Sequence, residues 1–328
     1  MSLLIQKQGL SDTFQDLGRY GYQYLGVNPG GAMDTIAMRI ANALVGNDPG
    51  EAVLEMYFPA AVILFEETVL VSLAGADFSA AIGEKEIPVC HPVLVHAGSV
   101  LHFRGRQKGA RVYLAIQGGF QLSSWLNSCS THLKTKTGGF QGRALQKNDR
   151  IIGKQKSPFR NHPTGNACEI LHWQANVQAF YRKEALRFVA GEEYWLLQKA
   201  SRHKLEDHPF HISRESDRMG FRIKGESLLL ENPLEMISSA ITRGTIQLLP
   251  DNQLIVLMAD HQTTGGYPRI GHIISADFPT LAQMDSGSDF SLQQVTLSEA
   301  EAVFYQQELN LQQLQNACNF RLQEYLAT

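Results

Sequence analysis

Two periodicities divide this chain. Runs of β-branched and aromatic residues, broken by glycine, recur through its first half: TVLVSLAGADFSAAI (68–82), PVLVHAGSVLHF (92–103) and RVYLAIQGG (111–119). Short strands at that spacing predict a sandwich or barrel and not alternating strand–helix–strand units. One helix interrupts them. Asp34 is placed to cap TIAMRIANALVGN, with Ile36, Ile40, Ala41 and Leu44 on one face and Gly46-Asn47 as the stop signal.

Residues 131–156, rich in Lys, Gly, Thr and Gln, predict an extended loop returning to a strand. SPFRNHPTGNA (157–167), with its prolines and glycine, marks the expected domain boundary. CEILHWQ and ALRFVAG then predict strands and EEYWLLQKASRHKL a helix. Strands resume in FHISRES (210–216), RGTIQLL (243–249), QLIVLMAD (253–260) and GHIISAD (271–277). After 296 the period becomes helical. Ser298 and Glu301 predict a capping box, and Val303, Phe304, Leu309, Leu311, Leu314, Cys318 and Leu322 give an imperfect apolar stripe that suits packing on its own chain or, as the alternative, a contact in a homo-oligomer. The expected layout is a β domain over 1–160, a second over 161–296 and a helical extension over 297–328. QDLGRYGY (15–22) and SDRMGFRI (216–223) echo one another, as two related β domains would.

Composition narrows the classes. A chain of 328 residues favours two domains, and 44% hydrophobic with 19% charged residues excludes disorder as a global description. With 29 basic and 32 acidic side chains the net charge is -3, which makes no electrostatic case for nucleic acid or an anionic membrane. Cys90, Cys129, Cys168 and Cys318 stand far apart and never as C-x-x-C, so reduced thiols in a cytoplasmic protein are expected. MSLLIQKQGL has too short an apolar start for a signal segment, and runs such as LIVLMA (254–259) are strand-length.

No phosphate loop of the G-x-x-x-x-G-K-[ST] type, no H-E-x-x-H and no G-x-S-x-G is present. His203, His208 and His211 are close in sequence, but Pro209 breaks their helix and no metal site is expected. Four polar constellations remain. TFQDLGRYG holds Thr13, Gln15, Asp16 and Arg19, where an Asp–Arg ion pair either binds or only fixes the loop. LVGNDPGEAVLE holds Asn47, a natural C-cap residue, and Glu55, a carboxylate between Leu54 and Met56 that needs a partner if buried. RESDRMGFR holds Asp217 and Arg218. ADHQTTGGYPRIG (259–271) holds Asp260, His261, Gln262, Thr263, Thr264, Gly265, Gly266 and Tyr267, and Gln247 is placed to lie alongside. Asp, Arg, Gln, Thr and Tyr without a strong nucleophile suit an amide, ureide or carboxylate held by hydrogen bonds, and can polarise a carbonyl.

These segments, in this order, resemble the allophanate hydrolase subunit 2 family. The resemblance rests on GLSDTFQDLGRYGYQYLGVNPGGAMD, AMRIANALVGND, YLAIQGGF, CSTHLKTKTGGFQGRALQKND, SDRMGFRIKG, GTIQ, DHQTTGGYPRIGHIISADFPTLAQM and FSLQQVTLSEA, and spans roughly residues 9–301. It implies a mainly β (α+β) fold: two tandem cyclophilin-like β-barrel domains with a few helices. It implies the C component of an ATP-dependent 5-oxoprolinase-type complex, working with a cyclophilin-like B component and an A component on a small amide. Two alternatives follow from the same family: a carboxyltransferase component acting on urea or another amide, and a non-catalytic Kip-type regulatory protein. In these readings Asp217, Gln247, Asp260 and Gln262 are the candidate catalytic residues. Arg218, Thr263, Thr264, Gly265, Gly266, Tyr267, Gln15, Asp16, Arg19, Asn47 and Glu55 are the candidate substrate-binding residues of a shared groove. No cofactor is expected to be covalently bound; biotin would be carried by a partner, and ATP would act at the level of the complex. His261 and Cys129 stand where the family usually has arginine.

Overall fold

The alternation of the first half resolves into two six-stranded sheets in the computed structural model, which describes residues 1–156, 159, 167–181 and 185–327. One sheet runs Arg150–Ile152, Ser2–Lys7, Val62–Phe65, Val100–Phe103, Ala80–Ile82, Lys85–Glu86. The other runs Cys168–Ile170, Pro92–Val95, Val69–Asp77, Lys108–Ile116, Val53–Met56, Thr13–Gln15. Period-2 alternation sends Phe14, Leu54, Met56, Val112 and Leu114 to one core with Ile5, Ile63 and Phe65. Opposite them, Thr13, Glu55 and Tyr113 lie in one row across three strands. The helix Thr35–Leu44 forms as its sequence predicts: Asp34 accepts from the Ala37 amide at 2.9 Å, and Ser72 ties the Ala41 carbonyl to the sheet at 2.6 Å.

The second half makes an eight-stranded sheet, ordered Asp289–Phe290, Phe210–Ile212, Gly220–Lys224, Leu254–Leu257, Thr245–Leu248, Arg269–Ile273, Leu186–Ala190, Leu292–Gln294. Its two outermost strands are consecutive in sequence, separated by Ser291 alone, so chain continuity nearly closes the sheet into a barrel. Phe188, Ile212, Phe221, Ile246, Val256 and Ile273 fill it. The fold is mostly β, as expected.

The chain divides into two compact units: Met1–Gly18, Asp34–Val177 and Asn310–Thr328 form one, and Arg19–Met33 with Gln178–Leu309 the other. Neither is a continuous piece of chain. The boundary signal at 157–167 lies almost wholly outside the described residues.

Several elements differ from the sequence reading. Glu192–Asp207 is a 3-10 turn, Glu192–Leu196, then a helix, Lys199–Asp207. The break falls where Leu197 bridges Leu230 and the Gln198 amide reaches the Leu229 carbonyl at 2.9 Å, so tertiary pairing overrides helix propensity. The strand expected in GHIISAD ends at Ile273, and Ser275–Asp277 turns because the buried Asp277 carboxylate holds Arg187 through its backbone amide, Nε and Nη2. The C-terminal helix Leu297–Ala327 is present, but its capping box is Thr296 with Glu299, whose side chains and amides bond reciprocally at 2.8–3.2 Å, and not Ser298 with Glu301. Its buried face carries Gln307, Leu311, Cys318 and Leu322; Phe304 is exposed.

One buried carboxyl was not anticipated. Asp12, 1% exposed, accepts from the Ala61 amide at 2.8 Å, while its Oδ1 has no hydrogen-bond partner. Burial pushes its pKa up to about 7 against the opposing amides of Ala61, Tyr57 and Gly9. Gly9 is required beside it, since a Cβ there would stand 2.2 Å from Asp12 Oδ2.

Candidate functional site

The stretch 259–271 leaves the strand Leu254–Leu257, turns, and re-enters the sheet at Arg269–Ile273. At its start the Asp260 carboxylate grips the Arg218 guanidinium twice, Nε to Oδ2 at 2.8 Å and Nη2 to Oδ1 at 3.1 Å. The Asp260 amide also donates to the Arg218 carbonyl at 2.8 Å, so backbone and side chains fix one geometry. Both side chains are largely buried, where a fork-on-carboxylate pair is far less screened than at a surface.

A strap from the N-terminal part of the sequence completes this cluster within the same unit. Asn28 donates to the carbonyls of Asp260 at 2.9 Å and His261 at 2.5 Å, and the Gly30 amide donates to Ala259 at 3.1 Å. Arg218 Nη2 reaches the Gly31 carbonyl at 2.6 Å; Arg243 reaches those of Ala32, at 3.2 Å, and Met33. Gly30 sits at φ +67, and a Cβ there would lie 3.0 Å from Arg19 Nη1 and 3.7 Å from Asp260 Oδ1. The left-handed backbone favours glycine there, and the missing Cβ keeps the strap clear of Arg19 Nη1.

His261 is buried beside Asp260. Its Nδ1 lies 2.6 Å from the Gln262 carbonyl, which can only accept, so Nδ1 carries the proton and Nε2 is left as an acceptor. Burial, and then the nearby Arg243, lower its pKa against the opposing Gln262 bond and Asp260, and the ring is uncharged at neutral pH. His272 is lowered by burial and by His261.

The remainder of the stretch forms a two-stranded ribbon, Thr264–Gly265 against Ser239–Ala240. Buried Gln247 lies beneath it: its Nε2 points at the Tyr267 carbonyl at 3.4 Å, and a Cβ on Gly265 would be 2.9 Å from that nitrogen. Gly266 is tight against the Met236 carbonyl and Ser238, each 3.3 Å from an added Cβ. Thr263 is half-buried and its carbonyl accepts from Ile241; Gln262, Thr264 and Tyr267 are exposed. Asp217 is exposed too, and its Oδ1 closes its own turn on the amides of Met219 and Gly220. The structure therefore brings Arg218, Asp260, Arg19 and His261 to one cluster and Gln247, Gly265 and Tyr267 to a second. Asp217 is exposed and uses Oδ1 to close its own turn.

Gln15, Asp16, Asn47 and Glu55 belong to the other compact unit. Asp16 accepts from Gly18 N, Ser128 Oγ, Ser130 Oγ and Cys129 N at 2.5–2.8 Å, so those donors, most from a loop over a hundred residues away, order its carboxylate. Gln15 donates to Thr13 and to the Thr131 carbonyl. Fully buried Glu55 accepts from Tyr113 at 2.9 Å, and Tyr113 in turn accepts from the Asp34 amide at 2.8 Å. Burial, with Glu55 next, pushes the Tyr113 phenol well up, so it remains a donor. Asn47 clamps the helix end to the sheet through Asn42, Ile116 and Gly118, which is a structural use of its amide.

Sequence reasoning missed Asn28, Gly30, Arg243, Tyr113, Ser128 and Ser130. NPGG was a usable signal for a strap; the rest act on partners distant in sequence. The chemistry on offer is hydrogen bonding and fixed charge. Among the described residues no group of three or more His, Cys, Asp or Glu is placed to hold a metal ion, and no helix is long and apolar enough to cross a membrane.

The chain is 35% identical to the C subunit of 5-oxoprolinase from Haemophilus influenzae, over 92% of its own length and 94% of that protein. It is 36% identical to the C subunit of 5-oxoprolinase from Escherichia coli, over 95% and 97%. The crystal structure of the Kluyveromyces lactis urea carboxylase shares the fold at a TM-score of 0.86 and 21% identity, covering 95% of this chain, which spans 29% of that protein. The profile of the carboxyltransferase domain, subdomain A and B, matches residues 25–294, and the chain belongs to that family.

Proposed function

We propose that this chain is the C component of an ATP-dependent 5-oxoprolinase-type complex, helping the A and B components open the lactam of 5-oxoproline to glutamate. The observation that carries the reading is the end-to-end match to two 5-oxoprolinase C subunits, 94% and 97% of their lengths. The geometry is compatible with that task. Lactam opening requires an amide carbonyl to be oriented and polarised, and the Arg218–Asp260 pair, the Gln247 amide and the close-approach glycines supply directed hydrogen bonds on an ordered scaffold. Such a site accelerates by positioning and electrostatic stabilisation. Neutral His261, with Nε2 accepting, is the group best suited to take a proton.

The test is reconstitution. Purified A and B components with this chain and ATP should release glutamate from 5-oxoproline, and omission of this chain should abolish release. Absence of glutamate with all three present and folded would remove the proposal.

The family profile supports a second reading, a carboxyltransferase component served by biotin on a partner. Bound biotin would supply a carboxyl group for transfer; Gln247 and the Gly265–Gly266 backbone are the groups suited to hold a ureide. Carboxyl transfer to urea or a related amide, measured with a carboxylated carrier, separates the two readings.

A further inference from the structure

Between the strands Gly220–Lys224 and Ser239–Ala240 the chain runs for fourteen residues without an element of its own. Over residues 225–242 it carries Glu226, Glu231 and Glu235 and no lysine or arginine. Connections of that length inside a compact unit are uncommon and usually functional. This one is anchored on its inner side. Leu228 is buried, the Glu231 amide donates to the Leu196 carbonyl at 2.9 Å, and the Gln198 amide donates to Leu229 at 2.9 Å.

Among its exposed side chains are large apolar ones as well as glutamates. Ile237 is 92% exposed and Leu229 44%, and the segment bonded to the loop adds Trp195 at 62% and Leu196 at 45%. Single exposed apolar residues are ordinary, but an indole and several aliphatics on one anchored connection and the segment bonded to it mark an interaction surface. Glu226 is engaged by Lys204 at 2.9 Å; Glu231 and Glu235 have no ion-pair partner among the described residues.

We infer that this strip docks a different protein, one whose contact face has an aliphatic centre and a lysine- or arginine-rich rim. A second copy of this chain fits less well: Arg202 lies over Trp195, but a twofold contact would still bring Glu231 and Glu235 of both copies together. An anionic lipid surface repels the strip for the same reason. The inference rests on reading the chain as one member of an enzyme complex, and names the surface by which it joins.

The experiment uses the full chain with separately purified A and B components, and measures binding by calorimetry at low and high salt. At least one of the two should bind. Ile237→Asp should weaken that binding tenfold or more, and Glu231→Lys with Glu235→Lys should weaken it and flatten its salt dependence, with unchanged melting temperatures. Undiminished binding by all variants overturns the inference, as does failure of both components to bind. Self-association of the wild type that Ile237→Asp abolishes also overturns it. Glutamate release is scored in parallel. Release with unaffected strip variants leaves the function standing without this surface; binding lost in the variants but no release leaves the surface standing without the function.

Discussion

Replacing Asp12 by Asn tests how the first unit tolerates an ionisable group in its interior. The native carboxyl has a pKa of about 7 because burial disfavours the anion, against an ordinary value of 3.8 that the unfolded chain retains. A carboxyl raised on folding binds its proton more tightly in the native state, so stability falls as pH rises from 3.8 to about 7 and stays reduced above that. At 1.36 kcal/mol per unit, the penalty is about 1.5 kcal/mol at pH 5 and on the order of 4 kcal/mol at pH 8. Asn is neutral throughout and can accept from the Ala61 amide. Urea unfolding of both proteins, followed by tryptophan fluorescence at pH 5 and pH 8, should show the variant gaining on the wild type by about 2–3 kcal/mol between the two. The comparison across pH cancels any fixed packing effect of the amide. A stability difference identical at both pH values would refute the reasoning, because the Asp12 carboxyl would then ionise normally.

Further expectations can be checked directly. Arg218→Met leaves the Asp260 carboxylate without its fork and should cost about 3–5 kcal/mol in chemical denaturation, with glutamate release lost in the reconstituted complex. His261 and His272 have lowered pKa values in the fold, so the unfolded chain takes up their protons first; stability should fall as pH drops below the ordinary 6.5, and His261→Gln should shallow that slope in melts between pH 7.5 and 5.5. Thr296→Ala removes the side-chain cap of the C-terminal helix and should cost about 1 kcal/mol, visible as faster hydrogen exchange in its first turn. Leu322→Ala should cost about 2–5 kcal/mol, since Leu322 is buried against Gly46, where an added Cβ would stand 2.5 Å from its Cδ2.

What the sequence disclosed followed the range of each interaction. The helix Thr35–Leu44 was legible because its cap, apolar face and stop lie within fourteen residues. The C-terminal box was misplaced because TLSEAE contains two overlapping S/T-x-x-E patterns, and nothing local decides between them. The helix expected over residues 192–205 was overextended at its start because the break comes from a backbone pairing of Leu197 with Leu230. Asp260 and Arg218 could be singled out by residue type, yet their pairing joins positions 42 apart. NPGG signals a turn in the strap, but the partners of its later carbonyls are hidden for a different reason. Arg218 and Arg243 hold the carbonyls of Gly31, Ala32 and Met33, and a backbone acceptor leaves almost no imprint on residue identity.

That strap also sets a timetable for synthesis. Asn28 through Met33 emerge from the ribosome early, but the groups that fix them, at Arg218, Arg243 and Ala259 to His261, are translated roughly two hundred residues later. At about 5–20 residues per second, the strap waits for about 10–50 seconds with its donors, carbonyls and Met33 unplaced. The unit that contains it cannot mature in the order in which it is made, and a fragment beginning at Gln178 would lack one wall of its own candidate site.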